Sequence, residues 1–525
     1  MSNAMILRAA LPSFALLGAA ALWGCAGHPP GADFPKSAST AIAHPEDTAL
    51  GRKFAAQARE HADESAFHIL NVGADGFRIR MQVIEAAQRS LDLQYYIFSG
   101  DETGRLLTDS LARAAERGVR IRLLIDDADT APGDEQILRL LAYPSVELRI
   151  FNPFGYRGHV QLLRALDFLF HAPRLNYRMH NKLLVADNSL AIIGGRNIGN
   201  QYFQVDPDSQ FADEDVVAVG PIVGQLSGIF DEFWNSDLAI PAQALGRAGR
   251  DSGPGAGKSA SIDYASLLKT DEPFAGIASG KLPLTWAHVR VVHDSPDKKQ
   301  VVEGEAPGRL ITRAVIESAR EVNSEILLIT PFFVPAPDQL QALEELRRRQ
   351  ASVRILTNSL ESNPQPAAQS GYDHFRVPLL KEGAKLYEVR PLLGNVRGSG
   401  QSAKVSRFGN YALHAKMYVF DRRKLFIGSM NYDQRSKHIN TEIGLIIDSE
   451  ALAQETGRRF DEMVKPENCY IPELRPAGVP GASPTLVWRT AEGGQLVEYT
   501  REPARSGWQR LKVKLLSILP LDREL

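Results

Sequence analysis

Two short segments of the chain carry the same chemistry at the same spacing. His180-Asn181-Lys182 leads through Leu183-Leu184-Val185-Ala186 to Asp187, and His414-Ala415-Lys416 leads through Met417-Tyr418-Val419-Phe420 to Asp421. In each copy the lysine follows its histidine by 2 residues, the aspartate by 7 and an asparagine, Asn197 or Asn431, by 17. The copies lie 234 residues apart. The apolar run after each lysine predicts a strand, and side chains two apart on a strand share a face, so each His and Lys form one cationic surface. The aspartates have the opposite parity and open turns, Asp187-Asn188-Ser189 and Asp421-Arg422-Arg423-Lys424, which assigns them to structure rather than chemistry. Gly194, Gly195 and Gly428 precede the asparagines, where a missing side chain lets backbone approach a ligand and the amides of Asn197 and Asn431 supply donors beside it. Lys+Arg 60 against Asp+Glu 62 give a net charge of -2, so no global field draws the protein to DNA or anionic lipid. Any bound phosphate must meet a local cluster. With only Cys25 and Cys469 there is no disulfide framework and no cysteine metal spacing.

The elements around these motifs repeat as well. At 525 residues, two to four compact units are expected at roughly 150 per domain. Hydrophobic residues at 44% and charged ones at 23% exclude disordered and fibrous classes. Val83-Ile84-Glu85-Ala86-Ala87 returns as Val315-Ile316-Glu317-Ser318-Ala319, each running into an apolar strand, Leu91 to Phe98 and Ile326 to Val334. Val119-Arg120-Ile121 returns as Val353-Arg354-Ile355, and Phe230-Asp231-Glu232-Phe233 as Phe460-Asp461-Glu462-Met463. This is a duplication, and its alternation of strands and helices predicts a layered β-α-β sheet in each half, the two sheets packing together. Tyr95-Tyr96 and Phe332-Phe333 are read as strand core rather than substrate contacts.

The double motif resembles the phospholipase D superfamily, in which two His-Lys-Asp motifs meet across a pseudo-twofold interface to form one site. Phe151-Asn152-Pro153-Phe154, Arg178-Met179-His180-Asn181-Lys182 and Asn431-Tyr432-Asp433-Gln434-Arg435-Ser436, continuing to Asn440-Thr441-Glu442, resemble its bacterial cardiolipin synthase C-type branch. The resemblance implies a duplicated α-β-α sandwich with one shared active site. It implies that one histidine, His180 by analogy, attacks phosphorus to give a phosphohistidine while His414 serves as acid and then base; the reverse order stays open. Lys182, Lys416, Asn197 and Asn431 would hold the non-bridging oxygens, with Gly195 and Ser429 beside the substrate, and no metal or other cofactor is expected. Each imidazole needs an acceptor on its second nitrogen. Glu442, 28 residues after His414, fits the family position; Asp213, 33 after His180, is favoured in the first half, with Asp215 the alternative.

The expected organisation is a scar (Ser2-Asn3-Ala4) and lipoprotein signal peptide over 1–25, a tether over 26–60, one half over 61–240, a linker over 241–285, the second half over 286–470 and a tail over 471–525. The apolar run Ala9 to Trp23 is too short to span a bilayer, and Leu22-Trp23-Gly24-Cys25 resembles a lipoprotein cleavage box. It makes Cys25 the expected lipidation site, and the Ala26 that follows favours the periplasmic side of the outer membrane. Ser252-Gly253-Pro254-Gly255-Ala256-Gly257-Lys258-Ser259 nearly spells a phosphate loop but has no preceding strand. Leu162 to Phe170 reads equally as a lipid entrance or a core helix, and Leu511 to Leu519 as a segment packed on the body. The expected activity is phosphatidyl transfer or hydrolysis on phosphatidylglycerol or phosphatidylethanolamine, by a monomer held at the membrane by its lipid anchor. Nucleic acid is the alternative substrate, disfavoured by balanced charge, and a non-catalytic binding protein is the third reading.

Overall fold

A computed structural model describes residues 28–61, 63–128, 134–158, 160–205, 209–246, 283–391, 410–476, 483–518 and 524. The leader with Cys25, the loop Ser252 to Ser259 and most of the expected linker lie outside the described residues. In the first half, β1 (Ser65–Leu70), α1 (Gly73–Ala86), β2 (Ser90–Tyr95), α2 (Glu102–Glu116), β3 (Arg120–Asp126), β4 (Val146–Phe151) and α3 (Gln161–Leu175) precede the hairpin β5 (Leu183–Ala186) and β6 (Leu190–Gly194). Strand β7 (Ser209–Ala212), β8 (Asp215–Val219), α4 (Ile222–Asn235) and β9 (Ala239–Pro241) complete it. The second half runs β10 (Thr285–His293), α5 (Ile311–Arg320), β11 (Glu325–Ile329), β12 (Phe333–Val334), α6 (Pro337–Arg348), β13 (Ser352–Asn358), α7 (Pro366–Lys381) and β14 (Lys385–Val389). Strand β15 (Asn410–Leu413), the hairpin β16 (Met417–Phe420) and β17 (Lys424–Gly428), β18 (Tyr432–Asp433), β19 (Ile443–Asp448) and α8 (Glu450–Met463) follow.

The halves share one strand order. Parallel β4-β3-β2 continues antiparallel through β5, β6, β8 and β1, and parallel β14-β13-β11 continues through β16, β17, β19 and β10. Strands β1 and β10 pair over Ser65–Phe67 and Thr285–Ala287, so the two sheets are continuous at their edges as well as packed face to face. One apolar cluster spans both, with Val185, Ile193 and Val216 of the first half and Met417, Ile427 and Leu445 of the second, covered by Phe230 of α4 and Phe460 of α8. The outer faces bury separate cores under α1 and α2, and under α5, α6 and α7.

Three expectations change. The described part of the expected tether, residues 28–60, is not free: Arg149 and Arg122, buried in the first sheet, donate to the carbonyls of Ser37 and Ser39 (2.7 and 2.9 Å). Its helix over Ala49–Arg59 buries Leu50 and Phe54 in the first-half core. Buried guanidinium groups need acceptors, and this segment supplies them. The strand expected over Ile326 to Val334 breaks at Pro331, which has no donor for the ladder; the short β12 pairs with β18 instead. The tail does not begin after Tyr470. Strand β20 (Cys469–Arg475) carries the chain through that point, pairing with β14 and with β21 (Thr485–Glu492), which pairs with β22 (Gln495–Tyr499) ahead of α9 (Gly507–Leu516). Among the described residues no helix is long and apolar enough to cross a membrane.

Candidate active site

Both histidine motifs enter from extended segments just ahead of β5 and β16, and the backbone locks each to the opposite half. His180 N donates to the carbonyl of Thr441 (2.9 Å), and Thr441 N donates to that of Arg178 (3.0 Å). His414 N and Ala415 N both donate to the carbonyl of Ala212 (2.7 and 3.0 Å), where β7 pairs with β15.

The carboxylates follow this crossing. Glu442 of the second half lies 2.9 Å from His180 Nδ1, and Asp213 of the first half lies 2.5 Å from His414 Nδ1. With Nδ1–H donating to these acceptors, Nε2 is the unprotonated nitrogen of each ring. Asp215, the alternative to Asp213, is consumed by Arg80 (2.9 Å) and Arg196 (3.0 Å) deep in the first half. Lys182 Nζ donates to the carbonyl of His180 (2.6 Å); Lys416 Nζ donates to that of His414 and stands 3.2 Å from His414 Nε2. The charge of Lys416 acts on His180 and that of Lys182 on His414, so the four groups share one electrostatic site.

Burial sets the charges. Burial, with Lys182 and Lys416, keeps His180 well below its ordinary value; burial with Lys416 brings His414 down to about 3. Both imidazoles are therefore neutral at pH 7 in the free protein. Burial lowers Lys182 well below its ordinary value and brings Lys416 to about 8. Glu442 is pushed up to about 7 by burial, against the pull of Lys182 and of Ser429 and Ser436, whose hydroxyls donate to it (2.5 and 2.7 Å). Burial acts on Asp213 too, but its pairing and hydrogen bond with His414, together with the positive charges of Lys416 and Arg196, outweigh it and hold the carboxyl below its usual range.

The motif aspartates sit away from this chemistry. Asp187 accepts the backbone N–H groups of Gln88, Arg89 and Ser90 (2.9, 2.7 and 2.9 Å). Asp421 accepts those of Asn323, Ser324 and Glu325 (2.8, 2.7 and 3.0 Å). Each ties its hairpin to the head of the neighbouring parallel strand. The glycines make close protein contacts. A Cβ on Gly195 would stand 2.1 Å from Asp213 Oδ1, and one on Gly428 would stand 2.4 Å from the carbonyl of Ile443. Ser429 likewise spends its hydroxyl on Glu442 instead of facing substrate. The asparagines differ: Asn197 accepts from Ile97 N (3.1 Å) and donates to Tyr202 Oη (2.9 Å), whereas the buried Asn431 Oδ1 has no partner.

Other residues join the site that motif spacing did not single out. Tyr96, expected in strand core, meets the His180 ring edge-on with ring centroids 4.9 Å apart. Tyr202 approaches the His414 ring edge-on at 5.2 Å, and Phe211 stacks on it at 5.1 Å. Asp126 accepts Met179 N (2.8 Å), and Asp294, paired with buried Lys298 (2.7 Å), accepts Glu442 N (2.9 Å). Tyr96 and Asp126 lie at the carboxyl ends of parallel strands, where α/β sheets place ligands, and that position was the available signal. Among the described residues no group of three or more His, Cys, Asp or Glu could hold a metal ion.

A duplicated α/β sandwich with two crossed His/Lys sets at its interface defines a phospholipase D-like enzyme. The family model described as "Cardiolipin synthase, PLD-like domain" matches residues 81–234 and 312–464. The chain belongs to this family. It is 35% identical to cardiolipin synthase C of Escherichia coli (strain K12) over 88% of this chain and 97% of that protein. It is 27% identical to an uncharacterised protein of Helicobacter pylori over 94% of this chain and 95% of that one. Among solved structures, phosphatidylserine synthase of Haemophilus influenzae Rd KW20 shares the fold with a TM-score of 0.51 at 12% identity, covering 81% of this chain and 92% of that one.

Proposed function

We propose that this protein transfers a phosphatidyl group between glycerophospholipids through a phosphohistidine, making cardiolipin from phosphatidylglycerol or phosphatidylethanolamine, with water as a competing acceptor. The observation that carries this reading is the crossed pairing of His180 with Glu442 and of His414 with Asp213. The names of the relatives, cardiolipin synthase and phosphatidylserine synthase, support the substrate class.

The two carboxylates divide the roles. Asp213 stays ionised and can stabilise an imidazolium, which suits His414 to hold a proton once an anionic phosphodiester arrives. Glu442 is shared with two serine hydroxyls and titrates near neutrality, so it favours a neutral, nucleophilic His180. His180 Nε2 attacks phosphorus and the phosphorus–oxygen bond to the departing headgroup alcohol breaks, its oxygen taking the proton from His414. The acceptor alcohol then gives its proton to His414 and attacks phosphorus, the nitrogen–phosphorus bond breaks, and both histidines return to their starting states. Lys182, Lys416 and the side-chain N–H groups of Asn431 stabilise charge on the non-bridging oxygens; Asn197 is held by Tyr202 and serves mainly to position that ring.

The test is incubation with mixed phospholipid vesicles and, separately, with DNA, followed by mass spectrometry. Cardiolipin or phosphatidic acid is expected, abolished by His180→Ala and His414→Ala; cleavage of DNA alone overturns the reading. We also propose that Cys25 is lipidated and holds the enzyme on the periplasmic side of the outer membrane. Labelled palmitate should enter the chain in cells and fail to enter Cys25→Ala; equal labelling of both refutes the anchor.

A further inference from the structure

Two helices leave apolar stripes bare. On α3, Leu162, Leu169 and Phe170 are 68%, 70% and 73% exposed, with Leu166 exposed between them on the same face. A core-packing role for this segment is thereby excluded. On α9, Trp508 and Leu515 are 69% and 55% exposed, and Leu511 and Ile518 fall on the same side by helical periodicity. Val513, the buried residue of α9, faces the opposite way, so the stripe points outward from the protein rather than into the body it was expected to pack on.

Charge says what covers them. From Pro503 to Ile518 the chain carries Arg505, Arg510, Lys512 and Lys514 and no acidic residue, although the whole protein has a net charge of -2. Lys512 and Lys514 flank the α9 stripe on either side, where their stems can lie along apolar surface while their ammonium groups reach phosphate. Helix α3 also ends beside the site. Asn176, which caps α3, receives Arg435 on its side-chain and main-chain oxygens (2.7 and 2.9 Å) and donates to the carboxylate of Glu524. Arg435 acts electrostatically on His180, and Glu524 lies eight residues along the chain from the end of α9, a reach of at most about 28 Å.

We infer that α3 and α9 form one docking surface for an anionic phospholipid bilayer. Their apolar stripes enter the headgroup layer while Lys512 and Lys514 meet lipid phosphates. Helix α3 leads into the His180 segment within five residues, so docking orients the site toward its lipid pool. The inference rests on the lipid substrate proposed above, and the two can fail separately.

The experiment uses the full chain with vesicles containing brominated acyl chains. Trp508 emission, taken as the difference between wild type and Trp508→Phe, should be quenched on phosphatidylglycerol vesicles, and the quenching should fall at least about threefold on phosphatidylcholine or in high salt. Leu169→Asp combined with Phe170→Asp should lower turnover of vesicular phosphatidylglycerol about tenfold or more, leaving turnover of a short-chain, monomeric phosphatidylglycerol unchanged. Retained short-chain turnover also shows that the variant is folded. Absence of Trp508 quenching, equal loss on both substrates, or a dimer in sedimentation that the same substitutions dissociate, each overturns the docking surface. If wild type turns over neither lipid, the proposed function fails while the quenching still decides the docking.

Discussion

The two imidazole–carboxylate pairs are alike in geometry and different in proton affinity. Asp213, reached by the backbone N–H of Glu214 (2.7 Å) and by His414, is held ionised; Glu442, reached by two serine hydroxyls and His180, is pushed up to about 7. A repeat that began as two copies of one motif has therefore given its halves different proton affinities. One imidazole is backed by a permanent anion and suits proton transfer, the other by a titrating one and suits attack.

The sharpest way to break this comparison is to remove each histidine. His180→Ala should lose at least about 10⁴-fold in turnover with any substrate. His414→Ala should lose as much on lipid, but with a nitrophenyl phosphodiester, whose leaving group needs no proton, it should keep a burst of nitrophenol that His180→Ala lacks. A burst from His180→Ala that His414→Ala lacks would reverse the assignment. Next come the carboxylates. Asp213→Asn should cost about 10³-fold in kcat and Glu442→Gln about tenfold, because only Asp213 is ionised throughout the working range. The pH profile sharpens the contrast further. Glu442 takes up a proton as pH falls through about 7, and Lys416 loses one as pH rises through about 8, so activity should peak between these values and fall on both sides. Glu442→Gln should remove the acid limb while leaving the alkaline limb in place. The smallest effects concern the hairpin clamps: Asp187→Ala should lose about 3 kcal/mol in urea denaturation and Asp421→Ala about 1 to 2, since Asp187 is fully buried and Asp421 is partly exposed.

Much of the architecture was legible in the chain. The spacing of His, Lys, Asp and Asn in two copies marks the site, and the offset repeats of Val83-Ile84 and Val119-Arg120 mark matching helices and strands. What spacing could not give is which half completes which imidazole. Distance along the chain ties Glu442 to His414, while the interface ties it to His180. The glycines misled for a related reason. A residue without a side chain signals close approach but not the approaching group, which at Gly195 is Asp213. The docked segment at 36–59 was hidden because its attachment uses buried arginines on backbone carbonyls, a contact with no composition signature. Tyr96 was hidden because an aromatic pair closing a strand reads the same whether it faces core or histidine.

The exchange of carboxylates also bears on when the enzyme becomes competent. A polypeptide that has left the ribosome only as far as residue 240 already owns one full motif, yet its His180 has no acceptor and its Asp213 has nothing to orient. Both imidazole–carboxylate pairs are thus complete only once the strands of the second half are in place.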